Sequence, residues 1–156
     1  MGGDTISITA PIAKHSSNNI AELRAGHVAF VVAHAFKSML PYIQALFLAD
    51  SLLVVNHIQL GWNFPEDMLL ATIVRKFFKK NFQSPIDELY WIRGHDEIDG
   101  NECADTAAKT GAKSPNSPNT VTIHWPIALD STLYDACDRA LRLAHYTTRK
   151  VYKYPP

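Results

Sequence analysis

The chain has 156 residues, 47% of them hydrophobic, enough for one domain with a core of its own and too few for two of ordinary size. Lys+Arg and Asp+Glu both number 15, so the formal net charge is zero and the totals describe neither a polybasic nucleic-acid binder nor an acidic tail. Seven Gly and nine Pro are too few for a low-complexity chain, and two cysteines, Cys103 and Cys137, make neither a disulfide framework nor a zinc ribbon.

The first residues lack the basic start and apolar run of a secretory signal. No apolar stretch approaches the roughly 20 residues that span a bilayer. The expectation is a soluble intracellular protein, nuclear or cytoplasmic and not secreted, with reduced thiols and no membrane partner.

In chain order, Ile6 to Thr9 alternates apolar and polar and predicts a short half-buried strand. Ser16 to Asn19 offers several helix caps, and Asn19 with Glu22 has the spacing of a capping box. The helix opening there carries Leu23, Val28, Phe30, Val31, Val32 and Ala35 and stops before Pro41. Ala45 to Ala49 is a continuous apolar run that reads as a buried strand, with Ser51 as cap of a helix holding Val55 and Ile58. A further helix from about Pro65 to Asn81 turns Leu69, Ile73, Phe77 and Phe78 inward. Leu89 to Ile92 predicts a strand ending at Gly94-His95, and a helix opens at Asp99 and ends near Gly111. Lys113 to Asn119 is linker-like; Val121 to Ile123 reads as extended and Leu133 to Thr147 as a helix. This order predicts an α/β layered domain over residues 1–112 with a parallel or mixed sheet, followed by an extension over 113–156. Cys137 and His145 on the last helix have no second Cys/His pair beside them, which argues against zinc.

The zero net charge conceals an uneven distribution. Arg75, Lys76, Lys79 and Lys80 fall between Ala71 and Ser84 without an acid, whereas seven acids between Pro85 and Asp105 face Arg93 alone. Three carboxylates stand at positions where α/β folds place sites: Glu22 near a helix start, Asp50 at a strand end, and Asp105 inside the helix after His95. Converging carboxylates suit a hard divalent cation, Mg²⁺ or Mn²⁺, and two such ions suit phosphodiester hydrolysis. Each also has a plain alternative: a capping box for Glu22, a turn for Asp50, a solvated helix face for Asp105. The residues alone leave these open.

Asn18-Asn19-Ile20-Ala21-Glu22-Leu23, then Asp50-Ser51 with Val55, Ile58 and Trp62, then Gly94-His95 through Gly100-Asn101-Glu102-Cys103-Ala104-Asp105 resemble, in order and spacing, the type 1 ribonuclease H family. The likeness is to the retroelement branch and covers about residues 5–112. It implies a ribonuclease H-like mixed sheet flanked by helices, and hydrolysis of the RNA strand of an RNA–DNA hybrid with two Mg²⁺ ions, Mn²⁺ substituting. Glu22, Asp50 and Asp105 would be metal ligands. His95, in a loop, would assist water positioning or product release and complete the catalytic set. Asn18 and Asn19 would meet the hybrid's minor groove, where 2′-hydroxyls distinguish RNA. Arg75, Lys76, Lys79 and Lys80 would lean on DNA phosphates, unless that helix simply buries its Phe residues and solvates its Lys residues. A reverse transcriptase domain in the parent polyprotein is the implied protein partner.

The family's first strand, carrying its first catalytic Asp, and the two strands after it have no room before Glu22, and Asp4 lies too close to take that role. The sequence therefore reads as N-terminally truncated, with impaired turnover and an open strand edge that Val121 to Ile123 is a candidate to fill. Two other readings stand beside the nuclease: a catalytically inactive nucleic-acid-binding module, and a protein-binding module completed by a partner's strand.

Overall fold

The computed structural model describes residues 5–11, 16–94, 98–113, 117 and 119–153. Along the chain they form β1 (Ser7–Thr9), α1 (Asn18–Met39), β2 (Leu46–Ala49), α2 (Leu52–Leu60), α3 (Met68–Asn81), β3 (Glu88–Trp91), α4 (Asp99–Ala112), β4 (Thr120–Pro126), α5 (Ser131–Leu143) and β5 (Thr147–Lys153). The architecture is mixed α/β. The chain divides into two compact units, His15–Asp96, and Met1–Lys14 with Glu97–Pro156. This differs from the expected division at residue 112: the segment read as an extension shares a sheet with the first strand.

In the His15–Asp96 unit, β2 and β3 pair in parallel, Leu46 opposite Glu88 and Ala49 opposite Trp91. Helices α1, α2 and α3 pack on one another. Their shared core holds Leu23, Phe30, Val54, Val55, Ile58, Phe64, Ala71, Val74, Phe78, Phe82 and Leu89. Phe47 of β2 closes it from the sheet side, its ring 4.8 Å from Phe30 and 5.0 Å from Phe82. Successive strand side chains point to opposite faces. Hence Leu46, 63% exposed, and Leu48, 47% exposed, lie on the face away from Phe47, and the apolar run is buried on one side rather than on both as expected.

Caps explain the helix limits. Ser17 Oγ accepts from the Ile20 amide at 3.2 Å, so Ser17 opens α1 and the expected box of Asn19 and Glu22 does not form. Ser51 Oγ accepts from the Val54 amide at 3.3 Å, as expected, and α2 ends at Gly61, whose φ of 72° is open to glycine at little cost. Asp67, accepting from the Leu70 amide at 2.9 Å, starts α3 three residues later than Pro65. The inner face holds Ala71, Val74 and Phe78; Phe78 is inward as expected, whereas Leu69, 75% exposed, and Ile73 are not.

One buried ion pair ties the unit together. Lys37, in the last turn of α1, pairs with the buried Asp87 carboxylate, which also accepts the Ala45 amide at 2.9 Å ahead of β2. Burial pushes the Asp87 carboxyl up, but the Lys37 hydrogen bond, the Ala45 amide, the Lys37 charge and the Gln83 backbone together hold it below its ordinary value. Asp87→Ala strands an ammonium and an amide, and should cost about 3 kcal/mol in urea unfolding. Asp87→Asn keeps an acceptor for Ala45 and should cost less.

His27 lies buried in α1, edge-on to Phe77 at 6.1 Å between centroids. Burial, and then the Arg24 charge, lower its pKa. Below the ordinary value of about 6.5 the unfolded chain therefore binds a proton that the folded chain resists, and stability falls as pH drops through that range. Between pH 7.5 and pH 5.5 the urea midpoint should fall less in His27→Leu than in the parent. The Asp87 contribution is lost in a separate window, as pH falls below the ordinary Asp range toward its lowered folded value.

The second unit is a three-stranded sheet in the order β1-β4-β5, with β1–β4 antiparallel and β4–β5 parallel. Val121, Ile123 and Trp125 of β4 and Leu133, Ala136, Cys137 and Leu141 of α5 are buried. Trp125 stands edge-on to Tyr134 at 5.5 Å, and burial pushes the Cys137 thiol up to about 12. Helix α4 packs on β1, where a Cβ on Gly111 would meet the Ala10 carbonyl oxygen at 2.7 Å. The β4 partners are thus β1 and β5, not β2, which corrects the role considered for Val121 to Ile123. The expected final helix ends at Leu143; His145 turns the chain at a φ of 68° into β5, a strand the sequence reading did not anticipate. Among the described residues no helix is long and apolar enough to cross a membrane.

Candidate active site

Asp50 follows the last residue of β2 and precedes Ser51, the cap of α2, so its carboxylate stands at the C-terminal end of a parallel strand pair. That is where open parallel sheets place their sites. The neighbouring strand reaches the same level: the Ile92 amide donates to the Ala49 carbonyl at 2.9 Å, and Trp91 Nε1 donates to the Asp50 carbonyl at 3.1 Å. Beyond it, Gly94 passes so close that a Cβ there would lie 3.4 Å from Asp50 Oδ2. Gly94 of the motif therefore lies close to the Asp50 carboxylate. His95 itself lies outside the described residues.

Glu22 is exposed within α1 of the same unit and belongs to no capping box. Asn18 is exposed at the start of α1, whereas Asn19 Nδ2 donates to Glu66 Oε1 at 2.8 Å and Ser17 Oγ donates to the other Glu66 oxygen. The Ser17 and then the Asn19 hydrogen bond lower the Glu66 pKa, so this carboxylate holds the first turn of α1 as an anion. Asp105 lies on α4 of the other unit, where Lys109 pairs with it at 3.0 Å, one helical turn on. Of the sequence-predicted carboxylates, Glu22 and Asp50 thus share a unit and Asp105 does not.

The donor set is right in kind, since carboxylate oxygens suit a hard divalent cation. Among the described residues, however, no group of three or more His, Cys, Asp or Glu side chains could hold a metal ion.

Helix α3 presents the expected cations. Lys76, Lys79 and Lys80 are exposed, and Arg75 is half-buried with its Nε donating to the Ile58 carbonyl at 3.2 Å. Phe78 enters the core, while Phe77 is half-buried against the rings of His27 and His34. Among the described residues none of these four cations is ion-paired. Glu66, Trp91 and Gly94 are the neighbours that sequence reasoning gave no role. Only Gly94 carried a signal, as the residue before His95.

No family model, curated protein or solved structure matches the chain.

Proposed function

We propose that the chain is a ribonuclease H-like domain that engages RNA–DNA hybrids and hydrolyses the RNA strand, with Asp50 as the central carboxylate. The observation that carries this reading is the close approach of Gly94 to the Asp50 carboxylate at the C-terminal end of the β2–β3 pair, where a Cβ would lie 3.4 Å from Asp50 Oδ2. It joins two of the three motifs on which the family resemblance rests. Glu22 and Asp105 are the further acidic residues of the reading, His95 its loop residue, and Asn18 its minor-groove contact. Asn19 reaches the hybrid only by leaving Glu66. The ion requirement that belongs to the reading is Mg²⁺, with Mn²⁺ as substitute, and a reverse transcriptase is its protein partner.

A second reading, hybrid binding without cleavage, is favoured by one observation: the Asp105 carboxylate is engaged by Lys109. The test of both is incubation of the full chain with an end-labelled RNA–DNA hybrid in Mg²⁺, Mn²⁺ or EDTA. Cleavage of the RNA strand that EDTA stops supports the nuclease. Salt-sensitive binding that EDTA leaves unchanged, with intact RNA under every condition, supports the binding module.

A further inference from the structure

A cavity of about 280 Å³ opens between α2 and α3, lined by His57, Gly61, Thr72, Arg75, Lys76 and Lys79. Thr72, Arg75, Lys76 and Lys79 are spaced three, four and seven residues apart, a single stripe of α3. Gly61 forms the opposite wall, in the left-handed conformation that ends α2. A side chain there would be strained, and its Cβ would sit 3.4 Å from Arg75 Nη2. The glycine therefore leaves the space beside the Arg75 guanidinium open.

The Arg75 side chain is anchored as well as charged. Its Nε donates to the Ile58 carbonyl near the C-terminal end of α2, which fixes the guanidinium plane at the cavity wall. His57 forms part of that wall, and its two ring nitrogens are taken up within the fold, 2.7 Å and 2.8 Å from the Trp62 and Ala71 carbonyl oxygens. The Thr72 hydroxyl donates to the Met68 carbonyl at 2.7 Å. What remains directed to an occupant is the charge of Arg75, Lys76 and Lys79. Among the described residues no carboxylate pairs with them.

We propose that this cavity is an anion site that takes a phosphoryl group. Three cations gathered on one wall, without a carboxylate partner among the described residues, call for a compact multivalent anion, and the guanidinium fork matches phosphate oxygens. The volume lies at the small end of ligand pockets, about 300 Å³ and above, which suits one or two phosphoryl groups and not a whole nucleotide. The phosphate comes from a nucleic-acid backbone or from a small phosphorylated ligand. In the first case the inference deepens the hybrid reading and rests on it; in the second it stands alone. Lys80 does not line the cavity, so the site is narrower than the run of basic residues in the sequence.

The test is titration of the full chain with inorganic pyrophosphate in EDTA, followed by calorimetry and by the backbone amide resonances of Gly61 and Thr72. The expected result is saturable binding that moves both resonances and weakens about tenfold in Lys76→Gln/Lys79→Gln. Lys113→Gln, an exposed lysine on α4's C-terminal flank, should bind as the parent does. Displacement of pyrophosphate by a short RNA–DNA hybrid identifies the backbone as the source, with a salt slope lower by about two in the double variant. Pyrophosphate binding that the hybrid does not displace identifies a small phosphorylated ligand. Absence of pyrophosphate binding, unmoved Gly61 and Thr72 resonances, or equal weakening in the Lys113 variant overturns the site. The assay contains no cleavage step, so a chain that binds pyrophosphate and leaves RNA intact retires the nuclease and keeps the cavity.

Discussion

On the proposed nuclease reading, Asp50→Asn should lower hybrid cleavage by about a thousandfold, a loss of about 4 kcal/mol in transition-state stabilisation, with little loss of stability. The second half follows from geometry. Asp50 is exposed, the Trp91 indole holds its backbone carbonyl, and the cap of α2 is the Ser51 hydroxyl, so neither the helix cap nor the backbone contact depends on the carboxylate charge. Asparagine has the same shape, so Gly94 can pass it as before. What changes is one negative charge at the end of β2, and the reading places the reaction on that charge. A variant with parental cleavage rates and parental melting would remove Asp50 from the site.

The same assay separates the roles of the other two carboxylates. Asp105 and Lys109 form an exposed pair one turn apart, of a kind worth only about 0.3–0.5 kcal/mol. Loss of cleavage in Asp105→Asn therefore cannot be charged to unfolding. If Asp105→Asn and Glu22→Gln cleave as the parent does while Asp50→Asn does not, the three-carboxylate reading fails and a site built around Asp50 alone remains.

What the sequence made legible, and what it did not, follows from the range of the forces involved. The existence of helices α1 to α4 was readable because apolar spacing and end residues are local, as with Ser51 opening α2 and Gly111 in the last turn of α4, whereas the caps of α1 and α3 fell on other residues than expected and α4 has no side-chain cap. The inner face of α3 was harder to read because apolar residues stand on more than one of its sides: Leu69 and Ile73 are exposed, whereas Ala71, Val74 and Phe78 are buried by neighbours distant in sequence. Strand β5 escaped because Thr147-Thr148-Arg149-Lys150 has no apolar alternation. Its stability comes from pairing with β4 and from α5, where Thr148 donates to the Asp138 carboxylate and Lys150 sits 4.6 Å from the centroid of the Tyr134 ring. These are long-range contacts that no window of sequence contains. The site divides in the same way: Asp50 at the end of an apolar run, followed by the capping Ser51, was a local signal, whereas the Glu66 clasp on Asn19 joins positions 47 residues apart and left no local trace.

Phe30→Ala should be the most damaging single change in the His15–Asp96 unit, at about 4 kcal/mol in urea or guanidinium unfolding. Phe30 is 2% exposed, and its ring meets Phe47 at 4.8 Å, Phe78 at 4.9 Å and Phe82 at 6.0 Å. Those three partners come from β2, from α3 and from the residue that ends α3, so one ring joins α1 to every element they belong to. Truncation forfeits the burial of a full aromatic side chain and its ring contacts, edge-on with Phe47 and tilted with Phe78 and Phe82; a well-oriented aromatic pair is worth about 0.5–1.5 kcal/mol beyond area. It also leaves a cavity that rigid neighbouring rings cannot collapse into. Against a typical total of about 5–15 kcal/mol, such a loss brings the unit close to unfolding at physiological temperature. Phe30→Leu keeps most of the volume and should cost less than half as much. The functional consequence runs through Phe47: it is the residue by which β2 grips this cluster, three positions before Asp50. If Phe30→Ala lowers cleavage, it should do so in proportion to the folded fraction and recover on cooling or with a stabilising osmolyte, whereas Asp50→Asn stays inactive in the fully folded chain.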